Sequence, residues 1–467
     1  MVQTDVLVIG GSAAGLVAAM TVKSNNKDKS VMVVRKEEKV MIPCGIPYIF
    51  GTIGTSDKNI LPDGGLLGLG VEIKVDEVTH IDAKTRVATT KSGEEIGYEK
   101  LIIGTGSNPI VPKWLTGTEK ENVFTIPKDK VYLDMLQNKL TGLKKVFVVG
   151  AGFIGVEVAD ELNKNGFDVT LVEILPRILG TAFDKEFAQA AETKLTDRGV
   201  KVLTGVGIKE ITGEKTVDGV ILSDGTSISA DAVILSLGYC PNTKLAKTMG
   251  LEINELGFIK TDRYKRTSNQ DVFAAGDCSE KIDFATGKLS KVMLASTACA
   301  EARVAGLNLY SLSTINTFRG TIGIYSTSIG DSAYGVAGLT EDIAKKEGFD
   351  VITASFTGID THPGCLEHSC KQTVKLIVSK DNGVILGGEA MGGRSVGELT
   401  NVIGFAIQGN MTINNLLVAQ IGTQPMLTAS PAGYPLIKAA EIAYSATLEH
   451  LVRKYLNRRT AYLNTMP

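Results

Sequence analysis

The sequence predicts an α/β fold made of two Rossmann-like βαβ units and a C-terminal α+β domain. Three observations carry this. A β-branched strand, a glycine turn and an Ala-rich helix follow one another near the N-terminus. The same succession recurs about 140 residues later. The βαβ rhythm then stops and gives way to strands interleaved with helices. At 467 residues the chain exceeds what one ordinary core organises, and about three domains are expected.

The elements follow in order. Asp5–Ile9 is a short apolar strand, Gly10-Gly11 opens the turn, and Ser30–Val34 is the second strand of the first unit. In the second unit Lys145–Val149 is the strand, Gly150-Ala151-Gly152 the turn, Phe153–Lys164 the helix and Asp168–Val172 the next strand. A helix is expected around Leu294–Leu309. From about Thr327 onward, Asp350–Thr357, Thr373–Ser379 and Val384–Ala390 read as strands and Val396–Gln408 as a helix. Leu436–Arg459 reads as one or two amphipathic helices, with Arg453-Lys454 and Arg458-Arg459 as a solvated basic end.

Composition narrows the function classes. Hydrophobic residues make up 43% and charged residues 21%, a globular balance. Lys and Arg total 49 against 51 Asp and Glu, so no net charge draws the chain to nucleic acid or an anionic membrane. The apolar run Val6–Met20 lacks a basic flank and is broken by glycine, and no uninterrupted apolar stretch reaches the ~18 residues of a membrane span. With six scattered cysteines, a soluble protein of the reducing cytoplasm is expected.

The glycine turns carry the first chemistry. A helix N-terminus offers unpaired N–H groups and the positive end of its dipole, which suits a pyrophosphate, and glycine lets the backbone come close. The second turn has Gly150, Gly152 and Gly155, with Phe153 and Ile154 opening the helix and Glu157 two positions beyond the motif. Glu173 closes the second strand. A carboxylate there accepts from a ribose diol and repels a 2′-phosphate, which favours NADH over NADPH, although Arg177 lies nearby. The first turn, Gly10-Gly11-Ser12-Ala13-Ala14-Gly15, has Ser12 in the middle place, and Arg35 stands where a ribose-binding acid is expected. Taken alone it reads either as a nucleotide site or as a structural turn.

Three further segments resemble the pyridine nucleotide–disulfide oxidoreductase family. Tyr98–Ser107 is similar to the turn between its FAD and NAD domains, Val272–Asp277 to its second FAD motif, and Leu237–Asn242 to the loop before that motif. With the two glycine turns they stand in family order and cover essentially the whole chain. The resemblance implies a glutathione-reductase-like fold with an FAD domain of residues 1–115 and 246–326, an NAD domain of 116–245 and a C-terminal dimerisation domain of 327–467. It implies a homodimer in which the C-terminal domain helps to complete the partner's site. The implied FAD contacts are Gly10, Ser12, Ala13, Ala14, Gly15, Arg35, Lys36, Val78, Thr105, Gly106, Gly276, Asp277 and Ser296. The implied NAD contacts are Gly150, Gly152, Phe153, Ile154, Gly155, Glu157, Glu173 and Gly238.

Within that family, Pro43-Cys44-Gly45-Ile46-Pro47-Tyr48 resembles the single-cysteine branch of coenzyme A disulfide reductases, NADH oxidases and peroxidases, and persulfide or polysulfide reductases. Glutathione-reductase-like members carry a second cysteine five positions on, where this chain has Ile49. Cys44 is the expected catalytic thiol, pairing with an external thiol, a sulfane sulfur or oxygen, and a helix start beside a flavin is expected to lower its pKa. Cys240, Cys278 and Cys299 are expected as buried packing residues.

The chain also departs from its relatives. Ser12 replaces the histidine of the oxidases and peroxidases. Val40 and Pro43 replace the Ser and Asn that contact CoA in the disulfide reductases, so CoA is a possible ligand without its usual contacts. His362-Pro363-Gly364 stands for a Tyr-Pro-Gly-like segment, and Gln424-Pro425 for the His-Pro of glutathione reductase relatives. The run from His362 through Cys365 and His368 to Cys370 has three readings: a zinc site, a Cys365/Cys370 redox relay, or a structural interface strand. The structural reading is preferred, and no metal is expected. The function implied is NADH-dependent reduction of a CoA disulfide, persulfide or polysulfide through FAD and Cys44. An NADH oxidase reducing O2 and a redox-sensing flavoprotein without turnover are the alternatives.

Overall fold

A computed structural model of the chain describes residues 1–464, with side chains through residue 450. The tail is one continuous helix, Pro435–Asn464, and the side chains of Arg453-Lys454 and Arg458-Arg459 lie outside the described residues. The fold forms two compact units: Met1–Ile174 with Val200–Asp283 and Gly287–Thr321, and Leu175–Gly199 with Phe284–Thr286 and Ile322–Pro467.

The first unit holds one mixed and one all-parallel sheet, the mixed one antiparallel only at the edge formed by Val87–Thr90 and Val78–Asp82. One is seven-stranded, with Glu72–Val75, Val31–Arg35, Val2–Ile9 and Glu95–Ile103 side by side, then Val87–Thr90 and Val78–Asp82. Val272–Ala274 joins Glu95–Ile103 in parallel. The other is five-stranded, in the order Lys201–Thr204, Asp168–Glu173, Lys145–Val149, Ala232–Leu235, Val123–Thr125. Every residue of Val31–Arg35 and of Ala232–Leu235 is buried, as strands covered on both faces require.

Alternation sorts the first sheet's side chains. Val6, Val8, Val31 and Val33 meet Ala14, Ala18, Ala298 and Ala302 on one face, while Leu7, Ile9, Met32, Val34 and Leu101 build the other. Those alanines come from the helices Ala13–Asn25 and Ala295–Leu307, whose small side chains allow close approach.

The two glycine turns repeat one steric constraint. A β-carbon on Gly15 would lie 1.7 Å from the Gly10 carbonyl oxygen, and one on Gly155 would lie 1.8 Å from that of Gly150. Helix and strand cross too closely for any side chain there.

The second unit is a five-stranded antiparallel sheet in the order Ile324–Ile329, Ser332–Gly338, Ile385–Gly392, Lys371–Ser379, Val351–Ile359. Helix Val396–Gln408 and the first turns of Pro435–Asn464 cover it through Ile403, Ile407, Ala439 and Ala443. Helix Lys185–Asp197 belongs to this unit through an ionic knot. The buried Lys375 ammonium lies 2.9 Å from Asp184, 2.6 Å from Glu186 and 3.0 Å from Glu341. Glu389 is wholly buried; one oxygen accepts the Asp184 N–H at 2.7 Å and the other makes no hydrogen bond. Burial, and then the Asp184 charge, push the Glu389 carboxyl up to about 9. Among the described residues no helix is long and apolar enough to cross a membrane.

Two predictions follow from this packing. Gly15→Ala places its methyl against backbone that cannot yield, and is expected to cost about 1–3 kcal/mol or more in denaturant unfolding, whereas Gly64→Ala, which meets nothing within 4 Å, is the neutral control. The second concerns Glu389. Between pH 4.5 and about 9 the folded chain keeps a proton that the unfolded chain releases, so this group's contribution to stability falls as pH rises. Glu389→Gln, isosteric with the neutral acid, is expected to flatten that slope by about 1 kcal/mol per pH unit, read from chemical denaturation at several pH values.

Candidate active site

Both glycine turns end in helix N-caps, Ser12 and Gly152, with no side-chain cap, which leaves first-turn N–H groups to an external acceptor. A β-carbon on Gly152 would meet nothing within 4 Å, so the packing of the chain does not require glycine there, and its absence leaves room suited to a pyrophosphate. Glu173 accepts the Ala151 N–H at 2.7 Å, which sets its carboxylate beside the turn. The Ser236 hydroxyl, packed under Gly155, is buried without a hydrogen bond. These residues fit a dinucleotide.

The first turn solves the same problem differently. Arg35 is 4% exposed, and a β-carbon on Gly11 would lie 2.5 Å from its Cδ, so Gly11 clears the space for this side chain. Asp63 accepts from both terminal nitrogens at 2.5 and 2.7 Å, and the Glu38 carbonyl accepts at 2.8 Å. The Arg35 guanidinium holds the Asp63 carboxyl below the usual range. Arg35 Nε is buried with no partner, an orphaned donor beside the turn that fits a bound flavin dinucleotide. Lys36 is exposed and pairs with Glu37, Val78 packs in the core, and Ser296 is exposed in the first turn of Ala295–Leu307.

The second motif is held from below by a buried charge network. Glu301 is wholly buried; it accepts the Gly276 N–H at 2.8 Å and the Ser279 hydroxyl at 2.9 Å. Lys265 pairs with it at 3.0 Å and Lys281 at 3.8 Å, both inside the core. Lys281 also donates to the Gly276 carbonyl at 2.6 Å. Above this network the Asp277 carboxylate accepts from Ser107 at 2.8 Å and from Lys128 at 2.6 Å. Burial works to raise the Asp277 carboxyl, but Lys128 and these hydrogen bonds outweigh it and leave it below the ordinary value. Thr105 donates to the Asn242 carbonyl at 2.6 Å, and the ribbon of Ser107–Pro109 with Tyr239–Pro241 connects the two motifs, with Gly106 and Gly238 at positive φ.

Cys44 sits in the 3₁₀ turn Pro43–Gly45, followed by a second, Pro47–Phe50. Ile49, in the place of a second cysteine, is a core residue with no exposure. Helix Phe153–Lys164 buttresses this segment: Glu161 accepts the Thr52 N–H and, at 2.7 Å, its hydroxyl, and Glu157 accepts the Tyr48 hydroxyl at 3.4 Å. The thiol is exposed to solvent yet crowded on its protein side. That crowding, then Glu157, push it up, and Lys128 opposes them. The lowered pKa expected of a helix start is therefore corrected: two 3₁₀ turns carry no useful dipole, and the facing carboxylates act the other way. Cys278 is buried and Cys299 partly so, but Cys240 is exposed at the edge of the Tyr239–Pro241 ribbon, not a packing residue.

In the second unit the two segments singled out as departures meet. His362 donates its backbone N–H to the Pro425 carbonyl at 3.1 Å, and its Nδ1 lies 2.8 Å from the Thr428 carbonyl. A carbonyl partner makes Nδ1 the protonated nitrogen and leaves Nε2 as the acceptor. Cys365 is exposed and Cys370 partly buried, both free thiols, with Cys370 donating to the His368 carbonyl at 3.6 Å. Among the described residues no three His, Cys, Asp or Glu side chains gather as metal ligands.

Sequence reasoning missed Lys128, Tyr48 and the Lys265–Glu301–Lys281 network. Lys128 belongs to no motif and reaches Asp277 only through the fold. Glu301→Gln leaves two buried lysines without their anion and is expected to cost about 3–5 kcal/mol in urea unfolding, with flavin lost more readily on dilution.

Comparison with known proteins agrees with this geometry. The family model described as pyridine nucleotide-disulphide oxidoreductase matches residues 4–302, and its dimerisation domain matches residues 324–432. An NADH oxidase of Methanocaldococcus jannaschii is 31% identical over 94% of this chain and 98% of its own length. An NAD(P)H coenzyme A polysulfide/persulfide reductase of Pyrococcus horikoshii is 32% identical over 94% and 98%. Among solved structures, a NAD-dependent persulfide reductase from A. fulgidus superposes with a TM-score of 0.87 at 30% identity, covering 95% of this chain and 83% of that one. Motifs, fold and relatives converge: the chain belongs to the pyridine nucleotide-disulphide oxidoreductase family.

Proposed function

We propose that this chain is an FAD-dependent NADH oxidoreductase that reduces a disulfide, persulfide or polysulfide through Cys44. The observation that carries the reading is the Cys44 turn itself. An exposed thiol sits in a turn whose neighbour Tyr48 is held by Glu157 of the second glycine-turn helix, while Ile49 is core and offers no local disulfide partner. The sulfur that pairs with Cys44 therefore comes from outside this turn.

A bound flavin supplies the two-electron chemistry that connects a reduced nicotinamide to sulfur. The chain's own part is positional and protonic. The turns at Gly10–Gly15 and Gly150–Gly155 present N–H donors to the two pyrophosphates, and Asp277, fixed by Ser107 and Lys128, is the ribityl-binding carboxylate. Glu173 receives the adenosine ribose of NADH and disfavours NADPH. Cys44 gives its proton to solvent or to the Glu157 carboxylate and attacks the outer sulfur of the substrate. With a disulfide one thiol leaves and Cys44 holds a mixed disulfide. With a persulfide or polysulfide the thiol or shortened chain leaves and Cys44 holds a persulfide. Two electrons and a proton then release the second thiol, or hydrogen sulfide, and return Cys44 to thiolate. CoA as the carrier of that sulfur, a homodimer assembled through residues 324–432, and His362, Cys365 and Cys370 as accessories from the partner belong to the same reading. O2 is the competing acceptor, because relatives named NADH oxidases are as similar as those named persulfide reductases.

The test is anaerobic NADH oxidation with CoA disulfide, CoA persulfide and polysulfide in turn. Turnover is expected with at least one sulfur acceptor, falling by about a hundredfold or more in Cys44→Ser. Equal aerobic activity of both proteins, with no anaerobic turnover, would leave an NADH oxidase. In the same assay Glu173→Ala is expected to shift the NADH over NADPH ratio of kcat/KM by about tenfold toward NADPH.

A further inference from the structure

The first unit lacks an acid where a dinucleotide turn calls for one. Strand Val31–Arg35 ends in an arginine, at the place where the carboxylate of a Rossmann unit accepts from a ribose diol. An arginine there ordinarily suits a 2′-phosphate, a group that FAD does not carry. The terminal fork of Arg35 is already taken, however. Both nitrogens donate to Asp63, at 2.5 and 2.7 Å, and one also donates to the Glu38 carbonyl at 2.8 Å. What the pair offers a ligand is therefore a carboxylate and not a cation.

The pair is built into the turn. A β-carbon on Gly11 would lie 2.5 Å from Arg35 Cδ and 3.2 Å from its Cβ, so this glycine is the gap that the side chain occupies. Nε, bonded to that Cδ, is buried beside the turn with no partner. Asp63 comes from a different element: it precedes the short helix Gly64–Gly68 and makes no side-chain bond to cap it. Leu66 of that helix is buried in the same cluster as Ala14 and Ala18 of helix Ala13–Asn25, which fixes Asp63 relative to the turn. The Arg35 side chain is 3% exposed and that of Asp63 34%. A carboxylate has about four acceptor positions, and Arg35 fills two of them. The others belong to the partner that reaches solvent. Stability alone is a weak account of such a pair, because a buried guanidinium and carboxylate gain little over apolar packing.

We propose that Asp63 is the ribose-binding acid of the first unit, supplied from 28 residues beyond the strand end where the sequence pattern places it, with Arg35 as its positioning residue. This rests on the first turn as the flavin-dinucleotide site. The Asp63 carboxylate accepts from the hydroxyls of the adenosine ribose, and Arg35 holds both of its oxygens in one plane. A single acid at the strand end is thus replaced by a longer assembly, an arginine that carries a carboxylate at its tip. The assembly selects a free ribose diol and rejects a phosphorylated one.

The experiment titrates the full-length chain, stripped of flavin, with FAD and with the analogue whose adenosine is 2′,3′-dideoxy, following flavin fluorescence. The wild type is expected to bind FAD about tenfold tighter than the analogue, the share of a hydrogen bond to a charged acceptor. Asp63→Ala is expected to bring that ratio close to one. Because Asp63→Ala strands a buried guanidinium, the double variant Arg35→Met with Asp63→Ala removes the charge together with its partner, and the same loss of discrimination is expected of it. A pair that only staples the fold would lower both affinities alike. An unchanged ratio in the variants therefore overturns the proposal, as does a wild-type ratio near one. Failure of the flavin reading is distinct: the wild type would then take up neither dinucleotide, and the ribose site would fall with it.

Discussion

The carboxylate of Glu301 is the constraint on which the first unit's architecture turns. It is wholly buried, it takes the Gly276 N–H and the Ser279 hydroxyl, and it is the anion facing Lys265 and Lys281. Burying two ammonium groups is unfavourable unless each is paired and hydrogen-bonded. The arrangement is therefore close to all-or-none: the loop that presents Asp277 takes the one shape that keeps this network satisfied. Helix Ala295–Leu307, which carries Glu301, also lies against helix Ala13–Asn25 of the first glycine turn. The first glycine turn and the Gly276–Asp277 loop are thus referenced to the same core.

Cys44 is positioned by a different route. Its 3₁₀ turns carry little intrinsic stability and depend on what packs behind them. Glu161 and Glu157 of helix Phe153–Lys164 take the Thr52 and Tyr48 groups, so the Cys44 segment is placed by the same helix that opens at the second glycine turn. A displacement of that helix would move the nucleotide turn and the Cys44 segment together. This coupling explains how a short segment of 3₁₀ turns holds Cys44 in register with the second glycine turn.

What the sequence made legible follows from the range of each interaction. The glycine turns could be read because their constraint is local: backbone meets backbone within five residues, at Gly10 with Gly15 and Gly150 with Gly155. The strands Val31–Arg35 and Lys145–Val149 could be read because burial on both faces writes a continuous apolar run. Arg35 looked anomalous because its partner, Asp63, is 28 residues away and no pattern announces it. Cys240 was taken for a packing residue because its motif surrounds it with apolar neighbours, but its ribbon has an open edge. Lys128 and the meeting of His362 with Pro425 depend on contacts between distant segments, and a single sequence carries no trace of either.

The electrostatics of Cys44 also bear on the choice between sulfur and oxygen. Stepwise oxidation of cysteine to a sulfenate follows thiolate character and exposure. A thiol held up first by burial and then by Glu157 spends less time as thiolate, and so resists adventitious oxidation. When it does ionise, its higher basicity makes it the stronger nucleophile toward sulfur, since thiolate reactivity rises with pKa. The same surroundings thus disfavour a resting sulfenate, while attack on sulfur gains per thiolate and loses in the fraction ionised. Ser12 points the same way, because the first turn offers a hydroxyl where an oxygen-handling histidine would otherwise stand.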